Sequence, residues 1–119
     1  MRKAIPKKTR QLVLSKYEGY CGYCGYRPDK LQIDHIDPVR NHWQIEDNAN
    51  YIENLMPACP PCNNFKMTFN LEQFRREIKQ QVERARKYSV NFRTAERFGL
   101  LKINEEKEVV FYFETLKKV

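Results

Sequence analysis

The sequence predicts an α+β fold. A strand–loop–strand–helix (ββα) unit is stapled by four cysteines, with one helix before it and a helix–helix–β-hairpin extension after it. Three observations carry this expectation. Two Cys-x-x-Cys pairs, Cys21/Cys24 and Cys59/Cys62, bracket the middle of the chain. Two short apolar runs, at 31–36 and 51–57, lie between the pairs and read as strands. Apolar residues at helical spacing resume after Asn70.

The 119 residues, 41% of them hydrophobic, suit one compact domain with a modest core, and a core of that size gains from a structural metal. The expected division is a core over residues 1–70 and an extension over 71–119 packed on it. The opening residues 1–8 are basic and lack a following apolar block, so they do not read as a secretory signal. No run of about 18 apolar residues exists to cross a membrane. The expectation is therefore a cytoplasmic, reducing setting and no membrane partner. Four cysteines can form disulfides, stay free or bind metal. In reducing surroundings, paired Cys-x-x-Cys spacings favour one structural zinc. The net charge of +7 favours a polyanionic partner, of which nucleic acid is the commonest.

Residues 6–17 read as a helix with Pro6 in its first turn, Val13, Leu14 and Tyr17 towards the core, and Gly19 as a stop. Its Lys7, Lys8 and Arg10 read either as a solvated basic side or as contacts to a phosphate backbone. The segment 20–25 reads as a zinc knuckle whose glycines permit a tight backbone. A strand over 31–36 carries Asp34 and His35, which alternation directs to opposite sides. Residues 39–50 are polar and read as a long loop, with His42 exposed and Trp43 on the core. A second strand over 51–57 precedes the second cysteine pair, and a helix runs on through Asn63, Asn64 and Lys66. Asn70 reads as the cap of one long helix with an apolar stripe of Leu71, Phe74, Ile78, Val82 and Ala85. Asn91 reads as the cap of a shorter helix over 92–98, ended by Gly99. Residues 100–103 and 109–113 read as two strands joined by a turn at 104–107. Helix, helix and hairpin together are winged-helix-like.

With Cys21, Cys24, Asp34, His35, Asn54, Cys59, Cys62, Asn63 and Lys66 in this order, the stretch resembles the HNH endonuclease family. More narrowly, it resembles the zinc-containing branch that reads CxxC…DH…N…CxxCNxxK. The tail beyond Asn70 is similar to that of small phage and prophage HNH proteins. The resemblance implies a ββα-metal (His-Me finger) fold and phosphodiester hydrolysis with one divalent ion. It implies Asp34 and Asn63 as ligands of that ion, with Mg²⁺ or Mn²⁺ favoured by oxygen donors. It implies His35 as general base, Asn54 as holder of the loop that orients His35, and Lys66 facing a phosphate. Many members have histidine where this chain has Asn63. The DHIxP segment is often followed by Gly-Gly in the family, whereas Val39-Arg40-Asn41-His42 follows here.

These residue types suit the chemistry. A phosphodiester resists attack because its oxygens are anionic and its leaving alkoxide is poor, and a divalent ion addresses both. Imidazole titrates near pH 6.5, so its neutral form can take a proton from an attacking water. A zinc held by four thiolates has no open position, so the cysteines build scaffold. The expected partner is double-stranded DNA, met by Lys66, Lys7, Lys8, Arg10 and Arg40; a homodimer or a protein partner also fits. The rival reading is a catalytically inactive zinc-stapled module that binds nucleic acid or protein, such as a phage accessory or anti-host factor.

Overall fold

The computed structural model describes residues 4–38 and 50–116. Arg40, His42 and Trp43 lie outside the described residues. The chain divides into two compact units, residues 1–71 with 110–119, and residues 72–109.

The first unit begins with α1 (Lys7–Leu14), entered from Pro6, whose fixed φ of −58° suits a helix start. Val13 is fully buried, while Lys7, Lys8 and Arg10 are exposed. The helix ends in turns in which Glu18 and Gly19 take positive φ. Lys16 Nζ donates to the carbonyls of Ile52 (2.9 Å) and Leu55 (2.7 Å), tying this end to the second half of the unit. Burial lowers the Lys16 pKa, and the charge of Glu53 partly offsets it.

Strands β1 (Gln32–His35) and β2 (Leu55–Ala58) pair antiparallel, with Asp34 opposite Met56 and His35 opposite Leu55. A 3₁₀ turn, Ile52–Asn54, leads into β2. Helix α2 (Pro60–Lys66) follows with Pro in its first turn, completing the ββα unit in the expected order. Pro57 lacks an N–H, which a two-stranded sheet tolerates because each strand is an edge. Its carbonyl accepts the Gly22 N–H at 2.8 Å, so the first cysteine turn is tied to β2. A Cβ at Gly22 would lie 2.1 Å from Met56 Sδ, so any side chain there would have to displace the buried Met56.

The chain returns to this unit at its end. Phe111 is 1% exposed and sits 5.4 Å from the Tyr23 ring, edge on. Phe113 stacks on Phe111 at 6.0 Å. Backbone N–H groups of Tyr112 and Phe113 donate to the carbonyls of Tyr23 and Gly22, both at 2.9 Å. Helix α6 (Tyr112–Thr115) closes the described chain. Here the structure corrects the sequence reading. Residues 109–113 were expected to pair with 100–103 as a hairpin, and among the described residues β1 and β2 are the only strands. The N–H groups needed for such a hairpin are spent on the knuckle at 22–23. Residues 110–116 therefore belong with the core and not with the extension.

In the second unit the single helix expected after Asn70 is two: α3 (Leu71–Lys79) and α4 (Gln81–Tyr88). The Gln81 side-chain amide donates to the Glu77 carbonyl at 2.7 Å. That carbonyl is the acceptor the Gln81 backbone N–H would take in a continuous helix, and a side chain inserted there breaks the ladder. Helix α5 (Val90–Arg97) is capped by Ser89, whose Oγ accepts the Phe92 N–H at 3.1 Å; Asn91 lies within the helix and is not its cap. Residues 98–111 are irregular. Within this unit Arg75 donates to the Val109 carbonyl at 2.7 Å, and Lys79 to the carbonyls of Glu105 (2.8 Å) and Lys107 (2.5 Å). Arg75 thus takes the carbonyl of Val109, which begins the expected second strand, while Lys79 holds the expected turn. Arg86 holds Glu96 at 2.5 Å and also pairs with Glu105.

Phe111 carries the return of the chain onto the knuckle. Phe111→Ala is expected to destabilise the first unit by about 3–5 kcal/mol. Chemical denaturation checks this, and an unchanged midpoint would show that the segment is not part of the core.

Candidate metal centre and catalytic cleft

The two cysteine pairs meet because each sits on a constrained turn. Cys21 and Cys24 lie in a knuckle whose Gly25 N–H donates back to the Cys21 carbonyl at 3.0 Å and whose Gly25 takes a φ of +79°. Cys59 precedes α2 and Cys62 lies in its first turn. All four Sγ atoms fall within 4.8 Å of one another, with Cys24 and Cys59 at 3.7 Å. Four thiolates at about 2.3 Å around one zinc would stand about 3.8 Å apart. The spacing fits an ion and is far beyond an S–S bond of about 2.05 Å. Backbone N–H groups of Tyr23 and Cys24 point at Cys21 Sγ (3.4 and 3.5 Å), and that of Tyr26 at Cys24 Sγ (3.4 Å). Such donors favour thiolate. The Cys62 thiol donates to Cys21 and lowers its pKa to about 4, while burial pushes Cys59 up to about 11. Four thiols this close cannot all ionise without a cation among them, so the donor set fits one zinc and fits it closed.

Beside this centre, β1 and α2 build a polar cluster. Asp34 is 6% exposed, and its Oδ2 accepts from the Tyr23 hydroxyl at 2.6 Å and pairs with Lys66 Nζ at 2.8 Å. Burial first, and then the charge of Asp34, push the Tyr23 phenol far above its ordinary value, so the hydroxyl stays protonated and donates. Lys66 is fully buried and also donates to the His35 carbonyl at 2.7 Å. The sequence reading placed Lys66 against a phosphate. Its ammonium instead points inward, where the carboxylate and a carbonyl of β1 compensate it; a cation with no exposed surface cannot meet DNA.

His35 Nε2 bonds to Asn50 Oδ1 at 2.8 Å. A carbonyl oxygen only accepts, so Nε2 carries the hydrogen and the neutral ring keeps its lone pair on Nδ1. Asn54, 3% exposed, exchanges two bonds with the backbone of Asp37: Oδ1 accepts its N–H at 2.8 Å and Nδ2 donates to its carbonyl at 3.0 Å. Its own carbonyl accepts the Ile36 N–H at 2.9 Å. Asn54 thereby pins the turn that directly follows His35. Asn63 Nδ2 donates to Gln32 Oε1 at 2.8 Å, which leaves Asn63 Oδ1 as the oxygen for another partner.

Asp34, His35 and Asn63 line one open cleft of about 470 Å³, together with Arg10, Asn50, Ile33, Ala4 and Ile5. The structure thus gathers three of the four residues named as catalytic in one cleft, while Asn54 is not among its lining residues and holds the Asp37 backbone. It adds the exposed Arg10 and leaves Lys7 and Lys8 elsewhere on α1. Sequence reasoning missed Tyr23, Gln32 and Asn50. Tyr23 sits in CGYC as an ordinary spacer, Gln32 one residue outside the apolar run, and Asn50 among several loop asparagines. None carries a local signal. The two oxygen donors, Asp34 and Asn63, suit a hard divalent ion better than a second zinc. Among the described residues, no helix is long and apolar enough to cross a membrane.

The thiol centre makes a direct demand. Purified protein is expected to hold one zinc per chain. Cys59→Ser is expected to lose it and with it the ordered fold of the first unit, read by metal analysis and near-UV circular dichroism. A folded, zinc-free Cys59→Ser protein would contradict the centre.

Comparison with known proteins matches the stretch that holds the thiol centre. The family model described as HNH endonuclease matches residues 21–68, the stretch that holds both cysteine pairs, β1, β2 and α2. No curated protein and no solved structure matches the chain. Residues 21–68, with four cysteines placed as a metal site at either end of the ββα unit, are thus similar to the HNH endonuclease family.

Proposed function

We propose that the protein is a DNA endonuclease that hydrolyses phosphodiester bonds with one divalent ion, Mg²⁺ or Mn²⁺, held by Asp34 and Asn63. The observation that supports this reading is the meeting of Asp34, His35 and Asn63 in one open cleft of about 470 Å³ that Arg10 also lines. When bound, the ion would withdraw charge from a phosphate oxygen and stabilise the departing 3′ oxygen.

The chain's own residues supply the rest. Asp34 contributes an oxygen from a carboxylate already fixed by Tyr23 and Lys66. Asn63 contributes its Oδ1, because Gln32 takes the other end of the amide. His35 acts as general base: with Nε2–H held by Asn50, Nδ1 accepts the proton of the water that attacks phosphorus. Asn54 keeps the backbone after His35 in place, so the ring stays in register with the cleft. Arg10, exposed on α1, offers a bidentate fork to a non-bridging phosphate oxygen pair, and the exposed Lys7 and Lys8 on the same helix extend the positive contact along the backbone. The products are a 5′-phosphate and a 3′-hydroxyl. One cleft per chain nicks one strand, and cutting both strands takes a dimer or two events.

The choice of variant matters for the test. Replacing Asp34 strands a fully buried ammonium, a defect of about 3–5 kcal/mol that confuses chemistry with folding. His35 makes a side-chain bond to Asn50 alone among those described, so it is the cleaner probe. Plasmid relaxation with Mg²⁺ or Mn²⁺ is expected for the wild type, and His35→Ala is expected to be slower by about 10²–10⁴-fold. Equal rates, or DNA bound but left intact under both ions, would favour a non-catalytic zinc module.

A further inference from the structure

We propose that Tyr23 is a positioning residue for Asp34. Through it the zinc knuckle and the C-terminal segment set how tightly the cleft holds its divalent ion. The inference rests on the reading of Asp34 and Asn63 as that ion's ligands.

Tyr23 touches three parts of the first unit at once. Its backbone N–H points at Cys21 Sγ at 3.4 Å, so its main chain is fixed by the thiol centre. Its carbonyl accepts the Tyr112 N–H at 2.9 Å, and its ring lies edge on to Phe111 (5.4 Å) and Phe113 (6.5 Å). Its hydroxyl, 2.6 Å from Asp34 Oδ2, is the far end of that lever. Asp34 has two fixed partners, the hydroxyl and Lys66 Nζ, and both use Oδ2. Two bonds to one oxygen from different elements stop the carboxylate from turning and leave Oδ1 for the ion.

The hydroxyl also adjusts the balance with Lys66. An ammonium 2.8 Å from the carboxylate opposes a second cation nearby. A neutral donor holds the group in place without that repulsion. The ring is 2% exposed, so removing the hydroxyl oxygen alone leaves its packing intact. Groups behind a metal ligand typically change metal affinity by about 10–100-fold.

The test is Mn²⁺ binding to zinc-loaded full chain, followed by the electron paramagnetic resonance of free Mn²⁺, with no DNA and no turnover. Tyr23→Phe is expected to keep one zinc per chain and its melting temperature within a few degrees, while binding Mn²⁺ at least about ten-fold more weakly. Phe113→Leu keeps the hydroxyl but loosens the clamp, and is expected to weaken Mn²⁺ binding by a smaller factor. Asn63→Ala, whose side chain is bonded only to Gln32 among the described residues, is the control for the ion site itself. If Asn63→Ala binds more weakly while Tyr23→Phe and Phe113→Leu match the wild type, the positioning role is overturned and the ion site stands. If all three match the wild type, the ion site is wrong and the positioning role falls with it. Should Tyr23→Phe lose its zinc, Phe113→Leu decides: weaker binding supports the role, and unchanged binding overturns it.

Discussion

The closure of Cys21–Cys24 onto Cys59–Cys62 is the constraint from which the rest of the first unit follows. A two-stranded sheet and a seven-residue helix are too small to hold a defined shape by burial alone. Clustering four thiols fixes both ends of the unit at one point. The register of β1 on β2 is then fixed, and Asp34 and His35 meet Lys66 at the end of α2. Because a four-thiolate centre is closed to substrate, the constraint acts on geometry and not on chemistry.

Inside that frame the polar cluster of Asp34, Lys66 and Tyr23 is a second, dependent constraint. A buried ion pair is seldom a net source of stability against an apolar replacement, yet breaking one side of it is costly. Its presence under the cleft is better read as fixing one carboxylate orientation than as strengthening the fold. Asn54 does the same for the turn after His35 through bonds to the Asp37 backbone, and Asn50 for the imidazole ring. Asp34 is therefore backed by Lys66 of α2, and Asn63 by Gln32 of β1.

The parts legible in the sequence are those whose spacing is chemically restrictive. Two Cys-x-x-Cys pairs, an Asp-His in a short apolar run and an Asn directly after the last cysteine left little freedom, and the ββα unit formed in the expected order. Lys66 was misread because a lysine's position in a motif does not say which way its long side chain runs. Here it runs inward, where a carboxylate three elements away in sequence compensates it. Tyr23, Gln32 and Asn50 were illegible because each acts only through a contact across the fold. The C-terminal hairpin failed for a related reason. Its β-branched and aromatic residues fit a strand locally, but the N–H groups of Tyr112 and Phe113 found the knuckle at 22–23 and the Val109 carbonyl found Arg75. The break at Gln80 likewise came from one side-chain amide, which apolar periodicity does not register.

The proposed function requires one thiolate-bound ion to organise a separate oxygen-lined site on the same small unit. Crystals grown with zinc, soaked in Mn²⁺ and solved with a short DNA duplex test it most directly, because the two metals are told apart by their anomalous scattering. Zinc is expected at the centre of the four Sγ atoms and manganese between Asp34, Asn63 Oδ1 and a phosphate oxygen, with His35 Nδ1 facing the phosphorus. Manganese bound elsewhere, with DNA across a different face and the cleft filled only by solvent, would contradict it.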